Sequence, residues 1–213
     1  MRPDKLPPVF EGRADAGRRL AKRLKQYPDG VVIGLARGGI SVAAAVAHRL
    51  SMPWNVMVTR KLTIPWCPGA GFGAAASDGS VVLNYAMLGT LDIPQHEIDK
   101  IAAEAVDDAR KQARLYASYR QPDDLHNRTV ILIDDALTMG YSMLAGIKSA
   151  RAQGASQVIA AAPVASRASA HLVRESADES IFEVISPSIP FSAADFYVSW
   201  PEVTEEEALG LLR

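Results

Sequence analysis

Apolar residues along this chain fall into short unbroken runs separated by stretches with helical spacing. Val31 to Leu35, Trp54 to Thr59, Val130 to Ile133 and Gln157 to Ala162 are such runs, with another near Ile181 to Ile185 and a short one at Val81 to Asn84. Runs of branched or small apolar residues mark strands buried on both faces of a parallel sheet. Between them, residues 11 to 26 set Ala16, Leu20, Ala21 and Leu24 on one face with basic residues between, an amphipathic surface helix. A helix from about Ile40 to Leu50 is apolar almost all round. Pro94 to Arg120 reads as a long helix with Ile98, Ile101, Ala102, Ala105, Ala109, Ala113 and Tyr116 on one side and a solvated charged face opposite. Met143, Leu144, Ile147 and Ala150 define another helix, stopped by Gly154, and Ser166 to Ser176 a further one. Thr204 to Leu212 is a terminal helix with Thr204 and Glu207 at capping-box spacing. The alternation predicts an α/β fold, a parallel sheet flanked by helices on both faces.

Two strand-to-helix junctions carry chemistry. After Val130 to Ile133 come Asp134 and Asp135, then Thr138-Met139-Gly140-Tyr141-Ser142, then the helix. The first amides of a helix lack intrahelical partners and sit at the positive end of its dipole, so this turn can cradle a phosphate. Carboxylates at the carboxyl end of a strand, where open α/β sheets bind ligands, suit vicinal sugar hydroxyls. A phosphate and a diol one turn apart describe a ribose 5-phosphate. The first strand is followed by Ala36-Arg37-Gly38-Gly39, where paired glycines let the backbone approach an anion and Arg37 supplies a charged fork. Arg60 and Lys61 end the Trp54 to Thr59 strand and could meet a polyphosphate. Leu62 to Ser80, rich in Pro, Gly and Ala, reads as a mobile excursion.

With 213 residues, 48% hydrophobic and 22% charged, the chain reads as one domain with a substantial core. A formal net charge of −1 with no basic run offers no nucleic-acid or membrane footprint. The single cysteine, Cys67, excludes an internal disulfide, and neither a signal peptide nor a membrane-length apolar run is readable, so a cytoplasmic protein is expected. His48, His96, His126 and His171 are scattered, which speaks against zinc. There is no GxSxG elbow, CxxC pair, Walker lysine or GxGxxG.

The stretch VILI-DD-AL-TMG-Y-S resembles the PRPP-binding motif of type I phosphoribosyltransferases, where PRPP is 5-phosphoribosyl 1-pyrophosphate. It departs at Ala136, smaller than usual, and at Met139, where a hydroxyl is commoner. FEGRADAGRRLA, GLARGGISVAAAVAHRL, VTRKLTIP, PGAGFGAAA and FYVSWPEVTEEEALGLL are similar to one subgroup, the small bacterial and archaeal enzymes of unassigned base specificity. That subgroup usually carries Glu at Gly69 and Ala at Gly71.

The resemblance implies transfer of a phosphoribosyl group from PRPP to a nitrogen base in nucleotide metabolism, with Mg²⁺ held through PRPP near Asp134 and Asp135. It gives those two acids and Arg37 the catalytic roles. Thr138, Met139, Gly140, Tyr141 and Ser142 would bind the 5-phosphate, and Arg37, Gly38, Gly39, Arg60 and Lys61 the pyrophosphate. It further implies a flexible loop at about 62–80, a homodimer, and a small hood from about 186–200 and the N-terminal segment. There Tyr197 and Phe196 are the first candidates for holding the base, with Phe191 and Trp200 behind them. Thr138, where 6-oxopurine enzymes carry Asp, and Ala161-Ala162-Pro163-Val164, where they carry a Lys, speak against that base class. The rival reading is a PRPP- or nucleotide-sensing protein without turnover; a hydrolase acting on a phosphoribosyl nucleotide would share the site.

Overall fold

The computed structural model describes residues 9–120 and 124–213. Residues 1–8, part of the N-terminal segment expected in the hood, and 121–123, the start of an expected polar loop, lie outside the described residues. In chain order the elements are α1 (Arg13–Leu24), β1 (Val31–Ala36), α2 (Gly38–Leu50), β2 (Trp54–Ile64), β3 (Cys67–Ala76), β4 (Val81–Leu83) and α3 (Tyr85–Leu88). They continue with α4 (Gln95–Ala117), β5 (Thr129–Ile133), α5 (Tyr141–Ala152), β6 (Gln157–Ser166), α6 (Arg167–Arg174), β7 (Glu179–Ser186) and α7 (Glu205–Leu212). The strands form one sheet in the order β4-β3-β2-β1-β5-β6-β7. β2, β1, β5, β6 and β7 are mutually parallel, and β3 and β4 extend the β2 edge antiparallel.

Period-two alternation in the central strands sorts the core into two layers. Val32, Ile131, Ile133, Ile159 and Ala161 face α1 and α2, meeting Leu20, Leu24, Val42 and Val46. Val130, Leu132, Val158 and Ala160 face the other way onto Met143, Leu144 and Ile147 of α5 and Val173 of α6. Helices therefore cover both faces, as the unbroken apolar runs require. No described helix is long and apolar enough to cross a membrane.

Three elements differ from the sequence expectation. β2 does not end at Thr59 but continues through Arg60 and Lys61 to Ile64, because Leu62 and Ile64 are buried at alternate positions beyond the charged pair. The 62–80 segment is not an irregular excursion: β3 pairs with β2 in a hairpin, and its glycines and alanines are small because α4 and α5 both pack against it. β6 runs through Pro163, which lies just past the last residue pair with β5, Ile133 opposite Ala161, where a missing N–H leaves no ladder bond to β5 unmade.

Above the carboxyl ends of the strands, the two ends of the described chain meet. Val9 and Phe10 donate backbone bonds to Phe196, and Val198 and Ser199 donate to Phe10 and Glu11, at 2.8–3.1 Å. Phe10, Val164 and Tyr197 form a small apolar cluster of their own with Phe191, Phe196 and Trp200 around it. This pairing of residues 9–12 with 196–199 roofs the acidic pair.

Candidate functional site

The Thr138 to Ser142 turn is held from behind. Leu137 donates to Val164 and accepts from Ser166 at 2.9 Å, which ties the turn to the end of β6. The Ser166 hydroxyl donates to the Thr138 carbonyl at 2.8 Å, and the buried Ser169 hydroxyl donates to the Leu137 carbonyl at 2.7 Å. With these carbonyls engaged at the back, Gly140, at φ +85°, turns the chain into α5. The first amides of α5 have no intrahelical acceptor and open onto a cavity of about 280 Å³. Thr138 to Ser142 line it together with Asp134, Lys61, Gly69, Gly71 and Gly73. Met139, 37% exposed, can offer a phosphate only its backbone. Ser166 and Ser169 were not foreseen as parts of this site; the Ser-x-x-Ser spacing that caps α6 is their only mark in the sequence.

The adjacent cations Arg60 and Lys61 separate, because neighbours in a strand point to opposite faces. Lys61 lines the cavity at the start of α5 and donates to the Gly69 carbonyl at 2.8 Å. Arg60 instead donates to the Thr59 carbonyl at 3.1 Å and to Gln112 of α4. Burial holds its pKa below the ordinary arginine value, with the Arg37 charge acting in the same direction. The expected pair of pyrophosphate cations is thus one lysine at the cavity and one arginine committed to α4.

The acids separate too. Asp134 lines the same cavity as Lys61 and accepts from the Asp135 amide at 2.9 Å. Burial, and then the neighbouring Asp135 carboxylate, raise its pKa well above the usual carboxylate range. Asp135 points into a second, more open cavity of about 400 Å³, lined also by Arg13, Arg37, Gly38, Trp200 and Glu202. Arg13 pairs with Asp135 at 2.7 Å, and Arg37 pairs with Glu202 at 2.7 Å. Gly38 and Gly39 belong to the first turn of α2 rather than to a loop before it. Their use is close approach: a Cβ on Gly38 would fall on the Asp135 carboxylate, and one on Gly39 on the Ile133 carbonyl. The Ala36–Arg37 peptide is cis.

The aromatic candidates are rearranged. Tyr197 is 5% exposed, packed between Phe10 at 5.2 Å and Trp200 at 4.3 Å, with its hydroxyl donating to the Asp135 carbonyl at 2.7 Å. Burial raises its pKa, and its ring has no free side for a base. Phe196 stacks on Phe191 at 5.9 Å and lines neither cavity. Trp200 is the aromatic at the second cavity, with the Arg13 guanidinium 3.9 Å from its centre. Arg13 and Glu202 went unrecognised: the first reads as one of several basic residues on a surface helix, the second as one of several acids near α7.

The family model for the phosphoribosyl transferase domain matches residues 75–198, which include the acidic pair and the Thr138 to Ser142 turn. A Mycobacterium tuberculosis H37Rv protein, Rv0571c, provisionally named a phosphoribosyl transferase, is 31% identical over 206 residues, 96% of this chain. The chain belongs to the phosphoribosyltransferase family. It spans 46% of the length of that mycobacterial relative. The crystal structure of TT1426 from Thermus thermophilus is similar at TM-score 0.79 and 32% identity, covering 96% of this chain and 97% of that one. A Neisseria gonorrhoeae protein solved with bound ppGpp shares the fold alone, at TM-score 0.51 and 12% identity, covering 84% of each chain. The α/β fold expected of a type I phosphoribosyltransferase is the one observed, with a seven-stranded sheet covered by helices on both faces.

Two outcomes follow from this geometry. Gly140→Ala forces a side chain into left-handed backbone and to within 3.3 Å of Ser169, so stability should fall by about 1–2 kcal/mol in urea denaturation, with weaker binding of inorganic phosphate. Asp134 binds its proton more tightly folded than unfolded, so stability is highest below the unfolded pKa and falls as pH rises toward the raised folded value. Asp134→Asn should therefore raise the Tm more at pH 8 than near pH 4, read by thermal denaturation at the two pH values.

Proposed function

We propose that this phosphoribosyltransferase binds PRPP with Mg²⁺ and transfers the phosphoribosyl group to a nitrogen of a heterocyclic acceptor, releasing pyrophosphate. One observation carries the reading: the amides opening α5 and the Asp134 carboxyl line one cavity, while the next residue, Asp135, shares the neighbouring cavity with Arg37. A ribose 5-phosphate laid across the acidic pair has its phosphate on the turn and its C1 toward Arg37. Thr138 and Ser142 add hydroxyls to the amides, and Lys61 adds a positive charge at the cavity wall.

In the reaction the C1–O bond breaks and its electron pair leaves with pyrophosphate, while the acceptor nitrogen's lone pair forms the new C1–N bond. Any proton on that nitrogen departs to solvent. The ribose becomes oxocarbenium-like on the way, so a fixed sugar and nearby negative charge both lower the barrier. Asp135 accepts a hydrogen bond from one of the 2- and 3-hydroxyls and supplies that charge, while the Asp134 carboxyl, whose protonated form burial favours, hydrogen-bonds the other. Arg37, released from Glu202, meets the leaving pyrophosphate.

Mg²⁺ fits this donor set as an ion held chiefly by substrate oxygens and water. Among the described residues no group of three or more His, Cys, Asp and Glu is placed to hold a metal, while two adjacent carboxylates flank the sugar position. When bound, it would neutralise pyrophosphate charge.

Pyrophosphate release with PRPP, Mg²⁺ and a panel of bases tests the reading. Turnover with one base establishes the transferase; PRPP binding with no turnover favours a sensor. Asp134→Asn with Asp135→Asn should weaken PRPP binding at least about tenfold, each carboxylate bond being worth roughly 1.5–3 kcal/mol. Unchanged PRPP affinity in that double variant would overturn the ribose assignment.

A further inference from the structure

Arg60 and Lys61, the cations expected against the pyrophosphate, are both placed elsewhere. Lys61 lines the cavity at the start of α5, and Arg60 is bonded to Thr59 and Gln112. The cavity that holds Arg37 and Gly38 contains a different second cation, Arg13 of α1. Three contacts fix it. Nε donates to Asp135 Oδ2 at 2.7 Å, Nη1 donates to the Pro201 carbonyl at 2.7 Å, and the guanidinium lies 3.9 Å from the Trp200 ring centre. Nη2 makes no hydrogen bond among the described residues. Among those residues the buried side-chain atoms left without a partner are the Tyr116 hydroxyl and one Glu183 oxygen, so Nη2 is not sealed in the core. It is a donor at the wall of an open cavity.

The two arginines differ in how far they must move. Arg37 and Glu202 are 37% and 83% exposed, so their pair is solvated, and Arg37 has to leave it to meet a ligand. Arg13 is 11% exposed and needs no such exchange. Nε bonds one oxygen of Asp135, and a carboxylate has room for a ribose hydroxyl besides. Glu207 also feels the Arg13 charge, but its oxygens are occupied in the capping box of α7. A donor already fixed where charge develops costs no reorganisation when the bond breaks, and a largely buried one is little screened.

We infer that Arg13 is a leaving-group ligand, binding the pyrophosphate of PRPP through Nη2 from the side opposite Arg37. This rests on the transferase reading of the same site. When C1–O breaks, the electron pair stays on the pyrophosphate oxygen. Arg13 keeps its proton, and its N–H bond to the phosphate strengthens as that charge grows. The leaving group lies between one fixed guanidinium and one mobile one, with the fixed one bonded to the acid that holds the sugar. Arg13 takes the place expected of Arg60.

Calorimetric titration with the two halves of PRPP tests this, using Mg²⁺-pyrophosphate for one and ribose 5-phosphate for the other. Arg13→Gln should weaken Mg²⁺-pyrophosphate binding about tenfold or more, and ribose 5-phosphate binding by less than about threefold. In an Asp135→Asn background, where Arg13 has no carboxylate to hold, Arg13→Gln should still cost pyrophosphate about tenfold. Arg13→Lys, which keeps the charge and loses the planar fork, should fall between wild type and Arg13→Gln. It also serves should Arg13→Gln fail to fold.

Equal pyrophosphate affinity in wild type and the Arg13 variants overturns the inference. So does a loss confined to ribose 5-phosphate, or a pyrophosphate loss that disappears in the Asp135→Asn background, since either makes Arg13 only a holder of Asp135. Wild-type protein that binds ribose 5-phosphate but no Mg²⁺-pyrophosphate overturns it as well. Failure of the wild type to bind PRPP at all sinks the transferase reading itself, before any variant is made.

Discussion

The first turn of α2 lies against the carboxyl end of β5 with no room for a side chain between them. Gly38 touches the Asp135 carboxylate and Gly39 the Ile133 carbonyl, so any larger residue at either position would push the helix off the strand. This contact sets the height of the acidic pair above the sheet. It also brings Asp135 to the amino end of α2, where the helix dipole favours a negative charge. Arg37, the residue before the helix, is carried to the same place. A pair of glycines thus brings a carboxylate and a guanidinium into one cavity with no contact between their own side chains.

Around that contact the site divides into two chambers with different electrostatics. The chamber at the start of α5 is lined by the Thr138 to Ser142 turn and Lys61, with Asp134 as the carboxyl group among the described residues that line it. Burial there favours the protonated acid, which costs stability at neutral pH. The other chamber is crowded with charges that neutralise one another in the free protein. Charges crowded in this way are held by rigid surroundings. Here those are the serine-anchored turn on one side and the Phe10, Tyr197 and Trp200 cluster on the other.

Much of this architecture is legible in the amino-acid sequence. The apolar runs locate six of the seven strands, and the helical spacing locates α1, α2, α4, α5, α6 and α7 to within a few residues. The capping box at Thr204 and Glu207 forms as its spacing predicts. The acid pair, the turn and the helix start at Tyr141 are local features, written in consecutive residues and governed by backbone chemistry that neighbours along the chain decide. β3 escaped because Gly and Ala are permissive in loops and also small enough for a strand between packed helices.

What only the tertiary structure decided is where side chains go once strands are paired and residues 9–11 meet residues 196–199. Arg60 and Lys61 part because a strand alternates its faces, which becomes visible only when β2 is seen to continue past them. Tyr197, chosen from sequence for its ring and hydroxyl, is consumed by packing and by the Asp135 carbonyl, while Trp200 takes the cavity. Arg13 lies 122 residues from Asp135 in the chain, and nothing local ties a basic residue of a surface helix to an acid at the end of a central strand. Backbone motifs are set by short-range chemistry and can be read in order; charge pairs across a cavity depend on distances that exist only after folding.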